Sequence, residues 1–253
     1  MLRILLAASE AVPFIKTGGL ADVAGSLPRA LRSRYMECRV VIPLYSDIPQ
    51  ELRGDMTFLA SFDVTVAWRH QYCGVFEAHA GGVTYYLLDN EYYFKRAGVY
   101  GHYDDAERFV YFSRAVLEMI SHIGFKPDVI HANDWHTALI PLFYRAFYAD
   151  RPEYAGMKTV FSVHNVQYQG KYGRELLEDM LGLPREFWPA VEMDDGINFT
   201  KSALVTADAV TAVSPSYAAE LKIPYYAYGL DGLFRDCGDR LSGILNGIDI
   251  KSY

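Results

Sequence analysis

Apolar residues along this chain fall into short continuous runs separated by stretches in which they recur every three or four positions. Residues 3–8, 38–43, 128–131, 159–163, 209–213 and 241–245 are such runs, each bounded by polar or turn-forming residues. Their lengths and β-branched content predict strands buried on both faces, the pattern of a parallel sheet. Between them, residues 20–34, 137–148, 198–206 and 215–222 read as helices. A further segment places Phe109, Phe112, Val116, Met119 and Ile123 at helical spacing before Gly124 and Pro127. Residues 58–88 break the alternation. They are dense in β-formers, with Gly81-Gly82 as a tight turn, and predict a hairpin appended to the sheet. Residues 89–103 mix aromatic and polar side chains without periodicity and read as a loop. Six or seven strands alternating with helices predict an α/β fold: one doubly wound, mostly parallel sheet joined by right-handed crossovers.

On this pattern every polar cluster follows a strand, and open α/β sheets bind their ligands along that carboxyl edge. Lys16, Thr17, Gly18 and Gly19 lie between the first strand and the first helix. Glycines there let backbone N–H groups approach an anion, the helix adds its positive end and Lys16 a full charge, so the expected ligand is a phosphate. The spacing fits neither G-x-G-x-x-G nor G-x-x-x-x-G-K-[ST], which leaves open the reading as a bare glycine turn. Asp134 and His136 follow the 128–131 strand, His164 follows the 159–163 strand, and Asn246 follows the last. Lys16, Asp134, His136, His164 and Asn246 are therefore expected to share one cleft.

His131, Asp134, His136 and His164 raise the question of zinc. One histidine lies along a strand while another opens a helix, the close i, i+4 pair is missing, and Cys38, Cys73 and Cys237 are distant, so no metal is expected. His131 reads as a core histidine. No G-x-S-x-G elbow is present for a serine hydrolase, and no two carboxylates are placed as a glycosidase pair.

Composition narrows the choice of partner. A chain of 253 residues that is 51% hydrophobic builds a substantial core, and a net charge of −7 without a basic block excludes a nucleic-acid surface. No apolar run reaches membrane-spanning length and no basic n-region or cleavage site precedes the first strand, so no membrane partner is expected. Three scattered cysteines without a C-x-x-C pair indicate reduced thiols and a cytoplasmic chain, or a plastid one whose transit segment has been removed.

The wording Lys16-Thr-Gly-Gly-Leu-Ala-Asp-Val23 resembles the opening signature of bacterial glycogen synthases and plant starch synthases. The resemblance continues, in order, through His131-Ala-Asn-Asp-Trp-His-Thr-Ala-Leu139, Val163-His-Asn-Val-Gln-Tyr-Gln-Gly170, Thr211-Ala-Val-Ser-Pro-Ser-Tyr217, Tyr228-Gly-Leu-Asp-Gly-Leu233 and Gly243-Ile-Leu-Asn-Gly-Ile-Asp249. It implies a Rossmann-like N-terminal half of a two-Rossmann-domain (GT-B) enzyme, a retaining glucosyltransferase that moves glucose from ADP-glucose to the non-reducing end of an α-1,4-glucan without a metal or other cofactor. It also implies that Lys16 and the Gly18-Gly19 loop lie near the donor phosphates and acceptor, with Asp22 in the same cleft. Asp134, His164 and Asn246 would line the glucose side, the backbone carbonyl of His164 steadying positive charge at the anomeric carbon. Thr17, Asn165 and Tyr168 join the implied substrate-binding set, and Asp134 and His164 the catalytic one.

The family's C-terminal nucleotide-binding domain, with the cations that grip the diphosphate, has no counterpart in these residues. The expectation is a single domain over residues 1–253 holding the acceptor side and part of the donor site, inactive alone and unable by itself to distinguish ADP-glucose from UDP-glucose. A non-catalytic glucan-binding or regulatory module of the same fold is the alternative. Retention of Lys16, Asp134, His164 and Asn246 together favours the enzyme, since a pure binder has no chemical need of the whole set.

Overall fold

The computed structural model describes residues 1–247, and the Ile248 and Asp249 of the last motif lie outside the described residues. Twelve strands are formed among them: β1 (Arg3–Ala7), β2 (Glu37–Pro43), β3 (Thr57–Val66), β4 (Arg69–Ala80), β5 (Val83–Asp89), β6 (Val129–Asn133), β7 (Lys158–Val163), β8 (Lys171–Gly173), β9 (Glu192–Met193), β10 (Gly196–Asn198), β11 (Ala209–Ala212) and β12 (Leu241–Gly243). Nine make one sheet in the order β12-β11-β7-β6-β1-β2-β5-β4-β3. The seven from β12 to β5 are all parallel, and β4 and β3 follow antiparallel at one edge. The continuous apolar runs account for the parallel part: Leu5, Leu6, Val40, Val41, Ile42, Ile130, Phe161 and Val210 are all fully buried.

The chain steps one way from β1 to β2 and β5, then returns to the other side of β1 and steps the opposite way through β6, β7, β11 and β12. The strand order therefore reverses between β1 and β6. Because crossovers are right-handed, reversal also exchanges faces. Helix α1 (Gly19–Arg32), which joins β1 to β2, packs on one face, and the helices of the later crossovers pack on the other. On the α1 side, alternate residues Val129, His131, Val160, Ser162 and Thr211 floor a cavity of about 900 Å³ walled by α1. The intervening Ile130, Ala132, Phe161 and Val163 are buried on the opposite face.

Several elements differ from the sequence pattern. Residues 58–88 form parts of three strands. β3 and β4 are antiparallel, while β5 continues the parallel sheet beside β2. The Gly81-Gly82 turn between β4 and β5 has both residues at positive φ, +57° and +77°, as a two-residue hairpin turn requires. Residues 89–103 contain a one-turn helix, Glu91–Phe94, capped by the Asn90 side chain on the Tyr93 amide at 3.1 Å. The following helix spans Asp105–Met119, one turn earlier than its aromatic spacing predicts. Asp105 explains the shift: its carboxylate accepts the amides of Gly101 and His102 and pairs at 2.5 Å with fully buried Arg108. Residues 137–148, expected as one helix, instead begin in the 3-10 turn Trp135–Thr137 and divide into Leu139–Phe143 in α form and a π turn over Tyr144–Tyr148. Pro141, lacking an N–H, removes one donor from that ladder. The helices at 198–206 and 215–222 shorten to Phe199–Thr206 and Pro215–Glu220, each with a side-chain cap. The small sheet β8-β10-β9 was invisible to periodicity because its strands hold only two or three residues.

Candidate active site at the strand-order reversal

The loops after β1 and β6 flank the point where strand order reverses, and those after β7 and β12 lie alongside. In the first loop, Phe14 and Ile15 donate to the Ala11 carbonyl at 3.0 and 3.1 Å, folding residues 11–15 into a tight turn. This turn presses on α1 at Gly25, where a Cβ would stand 2.3 Å from Val12 Cγ2 and 2.7 Å from its carbonyl oxygen, so only glycine fits. Lys16, Thr17 and Gly19 are exposed. The Lys16 ammonium pairs with both oxygens of the Asp22 carboxylate at 2.8 Å, on side chains 50% and 44% exposed.

The expected cradle of free amides is only partly present. Glu10, 2% exposed, turns its Oε2 onto the amides of Thr17 and Gly18, the latter at 3.3 Å, and onto the Thr17 hydroxyl at 2.7 Å. A carboxylate inside the protein thus takes the place of a phosphate at those two amides. A Cβ built on Gly19 meets nothing within 4 Å, so open space for a ligand lies one residue further on.

Asp134 is the strained residue of the site. Its φ of 56° and ψ of 179° belong to a region that side-chain-bearing residues rarely enter, at a cost of about 1–3 kcal/mol. What holds it there is a set of hydrogen bonds between β6 and β7. Its amide donates to the Ser162 carbonyl at 2.9 Å, and its Oδ1 accepts the amides of His164 at 2.7 Å and Asn165 at 3.3 Å. Burial raises its carboxyl to about 7, in spite of those two amides and with the Glu10 charge adding to the rise.

His164 Nε2 lies 2.9 Å from Asn133 Oδ1, while the Asn133 amide group donates to the carbonyls of Ala7 and His131, both at 3.1 Å. With the Asn133 amide nitrogen so committed, its oxygen accepts, and the neutral His164 ring carries its proton on Nε2. Burial pushes His164 and His131 down to about 4, so both rings are uncharged at neutral pH. His131, expected in the core, instead is only part-buried on the floor of the α1-side cavity, its Nε2 2.6 Å from Ser162 Oγ.

Asp134, His164 and Asn165 are therefore brought together directly. Asn246 is exposed and lines the rim of the α1-side cavity together with Asn133 and His164. Tyr168 is 61% exposed at the tip of the loop after β7, its amide donating to the Asn165 carbonyl at 3.3 Å. His136 is not in the cleft: it is 7% exposed, stacks on Tyr100 at 4.5 Å, and has Nδ1 3.3 Å from Ser9 Oγ. Its ring packs with Trp135 and Phe109 behind the Asp134 turn. Among the described residues, no three His, Cys, Asp or Glu side chains are grouped to hold a metal ion.

Sequence reasoning assigned no role to Glu10, Asn133 or Tyr100. Tyr100 links the two loops: its hydroxyl is 2.7 Å from Ser9 Oγ, and burial, with the Glu10 charge adding to it, pushes its ionisation well above the ordinary phenol range. Its position in the aromatic-rich segment 89–103 was the available signal; Glu10 lay in plain view inside the first loop.

This mostly parallel sheet, reversing at β1 and β6 with polar loops at its carboxyl edge, is the Rossmann-like N-terminal domain of a GT-B glycosyltransferase. The chain belongs to the starch synthase catalytic domain family, whose model matches residues 3–236. It is 48% identical to a glycogen synthase of Bacillus cereus (strain Q1) over its whole length, covering 53% of that protein, and 50% identical to one of Anoxybacillus flavithermus (strain DSM 21510 / WK1), covering 52%. It superimposes with a TM-score of 0.91, at 29% identity, on the catalytic domain of starch synthase IV from Arabidopsis thaliana bound to ADP and acarbose, covering 99% of this chain and 52% of that one. The chain thus spans about half the length of the curated relatives it matches. No helix among the described residues is long and apolar enough to cross a membrane.

Proposed function

We propose that this chain is the N-terminal domain of a retaining glucosyltransferase that transfers glucose from ADP-glucose to the non-reducing end of an α-1,4-glucan. The observation that carries the reading is the Asp134 junction, a strained, desolvated carboxyl locked onto the amides of His164 and Asn165 where the strand order reverses. Strain of this kind persists where geometry is needed for chemistry. In this reading Asp134 and His164 are the catalytic pair. Fixing the Asn165 amide also fixes the peptide plane that carries the His164 carbonyl, so that this carbonyl faces the anomeric carbon as positive charge develops there. Asp134 and Asn246 hold glucose hydroxyls, Asn165 and Tyr168 extend that wall toward the acceptor, and Lys16 with Gly19 meets the diphosphate, flanked by Thr17, Gly18 and Asp22.

A second, nucleotide-binding domain supplies the remaining cations, as the length of the relatives supports. Residues 1–253 form one domain in this reading, and its compartment is the bacterial cytoplasm. One wall of a cleft neither excludes water nor neutralises a leaving diphosphate, and removing a single preorganised donor already costs about a hundredfold or more in rate. The test is transfer of radiolabelled glucose from ADP-glucose to glycogen. The 253-residue chain should give no detectable elongation, and the chain joined to a second domain should elongate. Robust transfer by the 253 residues, or none by the joined protein, overturns the proposal.

A further inference from the structure

Glu10 is almost completely buried, directly after the first strand, and its carboxylate is used within the loop that follows. One oxygen, Oε2, receives the Thr17 amide, the Thr17 hydroxyl and the Gly18 amide. The 11–15 turn closes the same loop from inside through the Ala11 carbonyl, and α1 closes it from behind at Gly25. The segment from Glu10 to Gly18 is in this way a ring fastened at both ends, from which Lys16 and Gly19 project.

We infer that Glu10 is the positioning residue of this loop: its carboxylate, not a ligand, occupies the Thr17 and Gly18 amides and thereby presents Lys16 and Gly19 to the donor phosphates. The inference rests on the glucosyltransferase reading and adds a residue to it. A phosphate cannot share two amides already held by a carboxylate, because two anions would then compete for the same donors. The ligand side of the loop begins at Gly19, whose surroundings are open, with the Lys16 ammonium beside it. Thr17 and Gly18 support the loop and do not touch the nucleotide.

The side chain also fills a space that water or a smaller residue would leave loose. Ser9 beside it bonds the Tyr100 hydroxyl, and Tyr100 in turn stacks on His136 behind the Asp134 turn, so the clamp adjoins the Asp134 junction. Glutamine keeps the accepting oxygen and the shape, and alanine keeps neither.

The experiment compares Glu10→Gln and Glu10→Ala by two readouts. Amide hydrogen exchange in this chain should show Thr17 and Gly18 protected in the parent and in Glu10→Gln, and in Glu10→Ala exchanging at least about tenfold faster while the β1 and β6 amides remain protected. In the chain joined to its second domain, Glu10→Ala should raise KM for ADP-glucose about tenfold, with the KM for glycogen within about twofold of the parent, and Glu10→Gln should restore most of the loss. A general loss of folding would instead raise both KM values or lower only the active fraction. Unchanged exchange at Thr17 and Gly18 in Glu10→Ala overturns the inference, as does an unchanged KM for ADP-glucose. If Glu10→Ala fails to fold, Thr17→Val, which removes one of the three bonds, takes its place: partial loss of Gly18 protection supports the clamp and none overturns it. Failure of the parent joined protein to transfer glucose overturns the glucosyltransferase reading, and the exchange result then decides the clamp alone.

Discussion

The two sides of the site are built on opposite electrostatic plans. On the β1 side, Lys16 and Asp22 face each other in solvent, half exposed, where a pair of charges contributes about 1 kcal/mol or less to stability. On the β6–β7 side, Asp134, His131 and His164 are withdrawn from water, and each is pushed toward its neutral form. In the glucosyltransferase reading, the first side presents its full charges to an incoming phosphate. The second holds its hydrogen-bonding groups fixed in direction by the bonds among Asp134, Asn133, His164 and Asn165. A charged side chain on a flexible stem adjusts to its ligand, whereas a desolvated carboxyl held by two amides does not, and the difference separates attraction from alignment.

The contrast breaks most visibly at Asp134. In the joined two-domain protein, Asp134→Ala should lower kcat by about a hundredfold to a thousandfold, because it releases the amides of His164 and Asn165 together with the sugar contact. Steady-state transfer kinetics check it, and a loss below about tenfold would place alignment elsewhere. Lys16→Ala comes next. Losing one exposed cation from the phosphate side should lower kcat/KM for ADP-glucose by about tenfold to a hundredfold while changing unfolding free energy by less than about 1 kcal/mol. Urea titration alongside the kinetics separates the two effects.

The smallest expected effect is on stability against pH. His131, His136 and His164 have folded pKa values below their unfolded ones, so the stability they contribute is present above about pH 6.5 and is lost as pH falls toward 4. Asp134 has the opposite sign: its folded value is raised, so its contribution is present below about pH 4 and lost as pH rises to about 7. Three groups outweigh one, and unfolding free energy should rise between pH 4 and 6.5 by about 1 kcal/mol per unit or more. Asp134→Asn removes the opposing contribution and should make that rise steeper. Urea titrations of both proteins across this range test it, and a shallower rise in the variant would show that the Asp134 carboxyl is not desolvated.

How far these features could be read from sequence depended on their range. The parallel strands announced themselves because a buried strand is apolar at every position, and the loops that follow them placed Asp134, His164 and Asn165 at one edge before any coordinates. The Glu10 clamp is a contact over seven or eight residues within a loop, and nothing in apolar spacing signals where a single carboxylate will turn. His136 was misplaced for a related reason. Polar letters next to Asp134 look alike in sequence, but the first turn after β6 rotates His136 inward onto Tyr100 while leaving Asp134 at the edge. The early start of the Asp105–Met119 helix depended on Arg108, a charged residue that periodicity counts as solvent-facing and the fold buries completely.

The backbone angle at Asp134 carries an evolutionary consequence. The strain alone would favour glycine there, which enters that region without penalty, whereas the carboxyl's bonds to the His164 and Asn165 amides favour the acid. A library of variants selected only for resistance to heat should therefore tolerate glycine beside aspartate at 134, and one selected for glucan synthesis should keep the acid. The two populations would separate at this codon, which makes position 134 a marker of whether a lineage carrying this fold is still under selection for its chemistry.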